Sequence, residues 1–110
     1  MPASLESKRA QILENLDGFR VEIDPDRERA DIILDRAPLN VIEIPQRDQL
    51  RAVFEELDLD DRVRVIVVRA IGKHFSSGGN IAGFLEASPE HVSRLADNIA
   101  APARCHKPVI

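Results

Sequence analysis

The chain has 110 residues, with 15 Lys and Arg against 19 Asp and Glu for a formal net charge of -4, one cysteine, and four phenylalanines as its aromatic residues. A chain of this length forms one domain at most and buries roughly two-thirds of its unfolded surface. The interspersed charges and sparse aromatics exclude a basic, aromatic-studded nucleic-acid surface. No apolar run approaches a membrane span, and Met1-Pro2-Ala3-Ser4-Leu5-Glu6 has no apolar leader core, so a cytoplasmic protein with no nucleic-acid and no membrane partner is the expectation. The lone Cys105 cannot close an internal disulfide, which fits a reducing compartment and a structural thiol.

Over residues 4–16, Leu5, Ile12, Leu13 and Leu16 share one face at helical spacing, which predicts an amphipathic helix stopped near Gly18. Residues 1–17 are therefore expected to be a helical extension, with the domain proper at 18–110. Phe19, Val21 and Ile23 alternate with Arg20 and Glu22, and Ala30, Ile32 and Leu34 with Asp31, Ile33 and Asp35. This predicts a β-hairpin about Asp24-Pro25-Asp26.

After Ala37-Pro38-Leu39-Asn40, the apolar Leu50, Val53, Phe54 and Leu57 recur at i, i+3, i+4 and i+7, predicting a helix over 45–57 with Pro45 in its first turn. The β-branched run at 63–68 predicts a strand buried on both faces. Strand, helix and strand in that order imply parallel strands joined by a right-handed crossover. A short helical turn is expected at 81–86. Ser88 as N-cap and Pro89 at N1 then open a helix to about residue 100, with Val92, Leu95, Ala96 and Ile99 on one face and Pro102 and Pro108 ending it.

Between strand and helical turn lies His74-Phe75-Ser76-Ser77-Gly78-Gly79-Asn80-Ile81. Adjacent glycines let the chain turn through positive φ and bring bare N–H groups against a ligand. Donors fixed in this way stabilise a developing oxyanion. Taken in isolation, the same residues also read as a plain strand-to-helix turn. The loop's position at the carboxyl end of a strand is where open α/β sheets place ligand sites.

The order Ile33-Leu34-Asp35-Arg36-Ala37-Pro38-Leu39-Asn40, helix, strand, Lys73-His74-Phe75-Ser76-Ser77-Gly78-Gly79-Asn80-Ile81, and later Lys107-Pro108-Val109-Ile110 resembles the amino-terminal part of the crotonase (enoyl-CoA hydratase/isomerase) family. One departure is Asn80, where that family usually carries an acidic residue. The resemblance implies an α/β fold, the spiral of ββα units shared by ClpP and crotonase, of which this chain is the amino-terminal part. It implies that the Gly79 N–H is one of two oxyanion-hole donors to a thioester carbonyl. Ser77, Asn80 and Ile81 would flank coenzyme A, and Ala37, Pro38 and Leu39 would lend backbone contacts from the facing turn. The substrate implied is an acyl-CoA thioester, with coenzyme A as part of the substrate and no separate cofactor. The assembly implied is a homo-trimer or hexamer. The turn Pro38-Leu39-Asn40-Val41-Ile42 further resembles hydratases acting on cyclic dienoyl-CoA thioesters.

By the same resemblance, the second donor and the proton-moving carboxylates lie beyond Ile110. The 110-residue chain alone is thus expected to hold half a site and to be inactive, and the strand starting at Val109 to be cut short, leaving the sheet beside residues 63–68 without a neighbour. His74, whose imidazole ordinarily titrates near pH 6.5, has no counterpart in the family's chemistry and is expected to be solvated beside a buried Phe75. His91 and His106 lack the i,i+4 partner of a helical metal site, so no metal is expected. Two other readings stay open: a Clp-type serine peptidase, which shares the architecture and a comparable oxyanion loop, and a non-catalytic α/β binding or assembly module.

Overall fold

The computed structural model describes residues 11–110. Most of the helix expected over residues 4–16 lies outside them. Its described end is helical only at Gln11 and Ile12, and turns follow, so the helix stops sooner than its apolar spacing implies. Asn15 adopts a φ of 54° there, a left-handed conformation that asparagine tolerates better than most residues and that interrupts a helix. Leu13 and Leu16 nevertheless pack on the core.

The hairpin forms as its alternation predicts. Strands β1 (Phe19–Asp24) and β2 (Arg29–Leu34) pair antiparallel, with Phe19 opposite Leu34 and Asp24 opposite Arg29. Asp24 Oδ1 accepts the Asp26 and Arg27 N–H groups across the turn, an Asx-type closure that fastens the reversal. Gly18 precedes β1 at φ 74°. A Cβ there would stand 2.5 Å from Arg36 Nη2, a contact the flexible Arg36 side chain can relieve by shifting, so it is the positive φ that favours glycine at this entry.

Helix α1 (Ile44–Leu59) follows, extending the predicted 45–57 by a residue or two at each end. Gln46 Oε1 accepts the Glu43 N–H at 3.1 Å, satisfying a donor that the first helical turn would otherwise orphan. At the other end, Lys107 Nζ donates to the Leu57 and Asp60 carbonyls, both at 2.6 Å. A cation on the orphan carbonyls of a helix C-terminus is favoured by the helix dipole as well as by hydrogen bonding.

Strand β3 (Val65–Ala70) pairs parallel to β2, giving the sheet order β1-β2-β3. This is two residues later than the predicted 63–68. The Val63 N–H closes a turn onto Asp60 O at 3.0 Å while its side chain enters the core at 1% exposure. The apolar run therefore begins in the turn, before the ladder. Burial on both faces is also corrected: Ile66 is buried, Val65, Val67 and Val68 are half-buried, and Arg69 is exposed. Helix α1 covers only the face carrying Phe19, Ala30, Ile32, Leu34 and Ile66, which join Val53, Phe54, Leu57, Val63 and Ala101 in one core cluster. Fully burying each large aliphatic side chain contributes about 1.5–3 kcal/mol.

The opposite face carries ion pairs. Asp31 accepts from Arg29 and, at 2.7 Å, from Arg69, and Arg20 reaches Asp35 at 2.7 Å. The hydrogen bond from Arg29 is the chief cause holding the Asp31 carboxyl below the usual carboxylate range, against the opposing effect of burial.

The helix predicted over 88–100 is broken. Ser88 Oγ does cap it, accepting the His91 N–H at 3.2 Å, but after α2 (Ile81–Glu86) the chain forms α3 (Pro89–Ser93), α4 (Leu95–Ile99) and α5 (Ala101–Arg104). Pro102 opens the last of these. The apolar face is largely exposed, Val92 by 43% and Ile99 by 58%, whereas Asn98 is buried. Asn98 accepts from Arg51 Nε at 3.0 Å and donates to Asp48 Oδ1 at 2.7 Å. A polar tie to α1 thus sets the orientation of α4 in place of its apolar stripe.

The far edge of β3 is occupied. Residues 108–110 run parallel to it, with Ile66 N on Pro108 O at 3.0 Å, Ile110 N on Ile66 O at 2.9 Å and Val68 N on Ile110 O at 2.8 Å. The expectation that this edge lacks a neighbour is corrected, because three residues of extended backbone, 108–110, suffice for three ladder bonds. Asp58 anchors the segment by accepting from the His106 and Lys107 N–H groups at 2.9 and 3.1 Å. Among the described residues, no helix is long and apolar enough to cross a membrane.

Candidate functional site

At the carboxyl ends of β2 and β3, two turns come together. The first follows Leu34 and contains Ala37, Pro38 and Leu39, all exposed; the second is the glycine loop after Ala70. Backbone bonds join them, Ser77 N to Leu39 O at 2.9 Å and Ile42 N to Gly78 O at 2.8 Å, and Gly79 lies opposite Ile42 in a parallel bridge. Of the residues singled out in the sequence, the structure places Leu39 against Ser77 and Gly79 against the strand-like exit of the first turn. Ala37 and Pro38 make no hydrogen bond to the loop among the described residues.

Three side chains hold this junction. Asn40 is 2% exposed with a φ of 51°. Its Oδ1 accepts the Arg36 N–H at 2.8 Å, and its Nδ2 donates to the Ile71 and His74 carbonyls at 3.1 and 2.8 Å. Ser76 Oγ donates to the Asn40 carbonyl at 2.7 Å and accepts the Gly78 N–H at 3.0 Å. Asn80 caps α2, its Oδ1 accepting the Gly83 N–H at 3.3 Å while its Nδ2 donates to Glu43 Oε1 at 3.1 Å. The amide at position 80 therefore does two jobs that a carboxylate could not combine, since a carboxylate has no N–H to give Glu43.

The glycine pair divides its roles. Gly78 takes a φ of 95°, which a side chain would strain; Gly79 is not among the residues at positive φ. In a trans peptide, the carbonyl and the following N–H point in opposite directions. With Gly78 O on Ile42 N, the Gly79 N–H is aimed away from the first turn. Among the described residues no acceptor is bonded to it. At Gly79 the loop thus presents a spare donor, held by the Gly78 carbonyl bond to Ile42 and suited to a polarised or anionic oxygen.

Phe75, expected to be buried, is 59% exposed. The His74 carbonyl and Ser76 side chain flanking it are both tied to Asn40, which leaves the ring facing outward. His74 itself is exposed. The Ser88 Oγ to His91 Nδ1 contact, 3.1 Å, is exposed and belongs to a helix N-cap. Cys105 is half-buried, and burial pushes its thiol up, away from the reactive thiolate. No group of three His, Cys, Asp or Glu among the described residues is arranged to hold a metal ion.

Sequence reasoning overlooked the bracing roles of Asn40, Ser76 and Glu43. For Asn40 a signal existed: asparagine after a proline turn is the residue type that combines left-handed backbone with local side-chain hydrogen bonds. For Glu43, the spacing to Gln46 ahead of an apolar run marks a helix start. For Ser76 the local half was open to inspection, since serine hydroxyls accept an N–H two residues on, as Ser76 does from Gly78, whereas its bond to the Asn40 carbonyl lies 36 positions away.

No protein-family model and no curated protein matches the chain. Solved structures do. An enoyl-CoA hydratase from Mycobacterium smegmatis is similar over 88% of this chain and 40% of its own, at 25% identity and a TM-score of 0.73. One from Shewanella pealeana ATCC 700345 is similar over 97% of this chain and 42% of its own, at 17% identity and a TM-score of 0.74. An enoyl-CoA hydratase/isomerase from Pseudoalteromonas atlantica T6c covers 86% of this chain and 37% of its own, at 21% identity and a TM-score of 0.68. The chain spans about two-fifths of the length of these structures. The hairpin, the parallel β2-α1-β3 unit and the glycine loop at its carboxyl edge are together the amino-terminal portion of a crotonase fold.

Proposed function

We propose that this chain is the carbonyl-polarising part of an acyl-CoA enzyme of the enoyl-CoA hydratase/isomerase type. The observation that carries the proposal is the Gly79 N–H, directed away from Ile42 by the Gly78 carbonyl bond and unpaired among the described residues. In this reading it donates to the thioester oxygen, and the interaction strengthens as negative charge builds on that oxygen in an enolate-like intermediate. Leu39 and Ser77, with Ala37, Pro38, Asn80 and Ile81, flank the coenzyme A moiety. Coenzyme A enters as part of the substrate, and no further cofactor is invoked. The second donor and the carboxylates that move protons come from segments beyond residue 110, and the complete enzyme assembles as a trimer or hexamer in the cytoplasm. The substrate class is taken as acyl-CoA thioesters generally, since the structural neighbours lend the cyclic dienoyl-CoA branch no support.

The test is the carbonyl stretch of crotonyl-CoA, carbon-13 labelled at the thioester carbon, bound at saturation to the 110-residue chain. We expect a shift to lower frequency, and its loss in Gly79→Pro. That substitution removes the N–H while leaving the Gly78 carbonyl free to hold Ile42. In the complete enzyme the same change should lower kcat by about 10²–10³-fold. A bound thioester with an unshifted carbonyl, or no binding at millimolar ligand, would overturn the proposal.

A further inference from the structure

The direction of the Gly79 N–H depends on the plane of one peptide, Gly78–Gly79, and glycine backbone holds no plane by itself. Two bonds fasten the residue before it. The Gly78 carbonyl accepts from Ile42 N at 2.8 Å, and the Gly78 N–H donates to Ser76 Oγ at 3.0 Å. The Ser76 hydroxyl has one proton to give, and it goes to the Asn40 carbonyl at 2.7 Å. Asn40 is in turn immobilised by three side-chain hydrogen bonds, to Arg36, Ile71 and His74.

We infer that Ser76 and Asn40 form a positioning relay that orients the Gly79 N–H, with Ser76 as the adjustable link. The inference rests on the function proposed above, because it assigns to that donor its preorganisation. Ser76 touches no reacting atom; it acts through Gly78. Its hydroxyl is the only side-chain group bonded to the glycine pair among the described residues. An alanine at position 76 keeps the chain direction but frees Gly78 to rock about the Ile42 bond. A donor that must be re-aimed in the transition state contributes less than one already in place.

Two readouts on the 110-residue chain separate the relay from the function. The first needs no ligand: amide hydrogen exchange at Gly78 should quicken by about five- to tenfold in Ser76→Ala, the effect of losing one hydrogen bond, and stay within about threefold of the parent in Ser76→Thr, which keeps the hydroxyl. The second is the carbonyl shift of bound crotonyl-CoA, which should fall by about half or more in Ser76→Ala with Kd changed by less than about threefold, and be restored in Ser76→Thr, since orientation is lost while contact area is kept. Should Ser76→Ala fail to fold by circular dichroism, Ser76→Cys keeps the volume with a much weaker acceptor and is expected to lie between parent and alanine in both readouts. Unchanged Gly78 exchange in the folded variants overturns the relay, as does faster exchange with an undiminished carbonyl shift. A parent chain that shows the exchange pattern but no carbonyl shift sinks the function while leaving the hydrogen-bond relay standing.

Discussion

The core and the loop junction are built from opposite materials. Between the sheet and α1, Ile32, Val53, Leu57 and Ile66 are completely buried and are held by apolar burial and close packing, forces that are strong in sum but indifferent to direction. At the carboxyl end of the sheet, the two turns are joined by hydrogen bonds from Asn40, Ser76 and Asn80, while Ala37, Pro38, Leu39 and Phe75 stay exposed. Directional bonds contribute little net stability each but set angles closely. The division places stability where geometry is forgiving and geometry where stability is expendable.

That contrast can be broken by substitution. Leu57→Ala should cost the most, about 2–5 kcal/mol, as it empties a site with no exposure, and urea unfolding should show it as a lowered midpoint with an unchanged slope. Asn40→Ala should cost about 2 kcal/mol: it strands the Ile71 and His74 carbonyls and the Arg36 N–H and places alanine at positive φ. Its carbonyl still accepts from Ser76, so the folded fraction should lose loop order before global structure. A loss equal to that of Leu57→Ala, with the whole sheet unprotected in hydrogen exchange, would erase the distinction between the two regions.

The smallest effect belongs to the ion-pair face of the sheet. Asp31→Asn should cost about 1 kcal/mol at neutral pH, in the range of a partly solvated pair. The folded Asp31 carboxyl lies below its ordinary value because of the Arg29 hydrogen bond. Its contribution is therefore full above the unfolded pKa and fades as pH falls through the lower folded one. Urea midpoints of parent and variant should converge on acidification below about pH 4, near the unfolded carboxylate pKa. A gap that widens on acidification would reverse the sign of this linkage.

Legibility followed the range of the interactions. The hairpin was readable because alternation puts Phe19, Val21 and Ile23 on one face, and α1 because Leu50, Val53, Phe54 and Leu57 repeat at helical spacing. Strand β3 was misplaced by two residues, since β-branched residues serve a buried turn as well as a ladder and Val63 went to the turn. Over 88–100, the helical stripe was present in the sequence but its burial was not. Periodicity states which residues share a face, and says nothing of whether another element arrives to cover it.

The glycine loop and its facing turn were legible as candidates from residue type and order. Their junction was not: Asn40 and Ser76 are separated by 36 positions, and no local pattern links them. The sequence by itself determined periodicity, the glycine that alone tolerates φ 95° at position 78, and the donors available for capping, because these depend on neighbours along the chain. Only the tertiary structure decided that the Gly78 carbonyl is spent on Ile42 and that the Gly79 N–H of the same peptide is aimed away, because the direction of a peptide is set by the partners that folding brings to it.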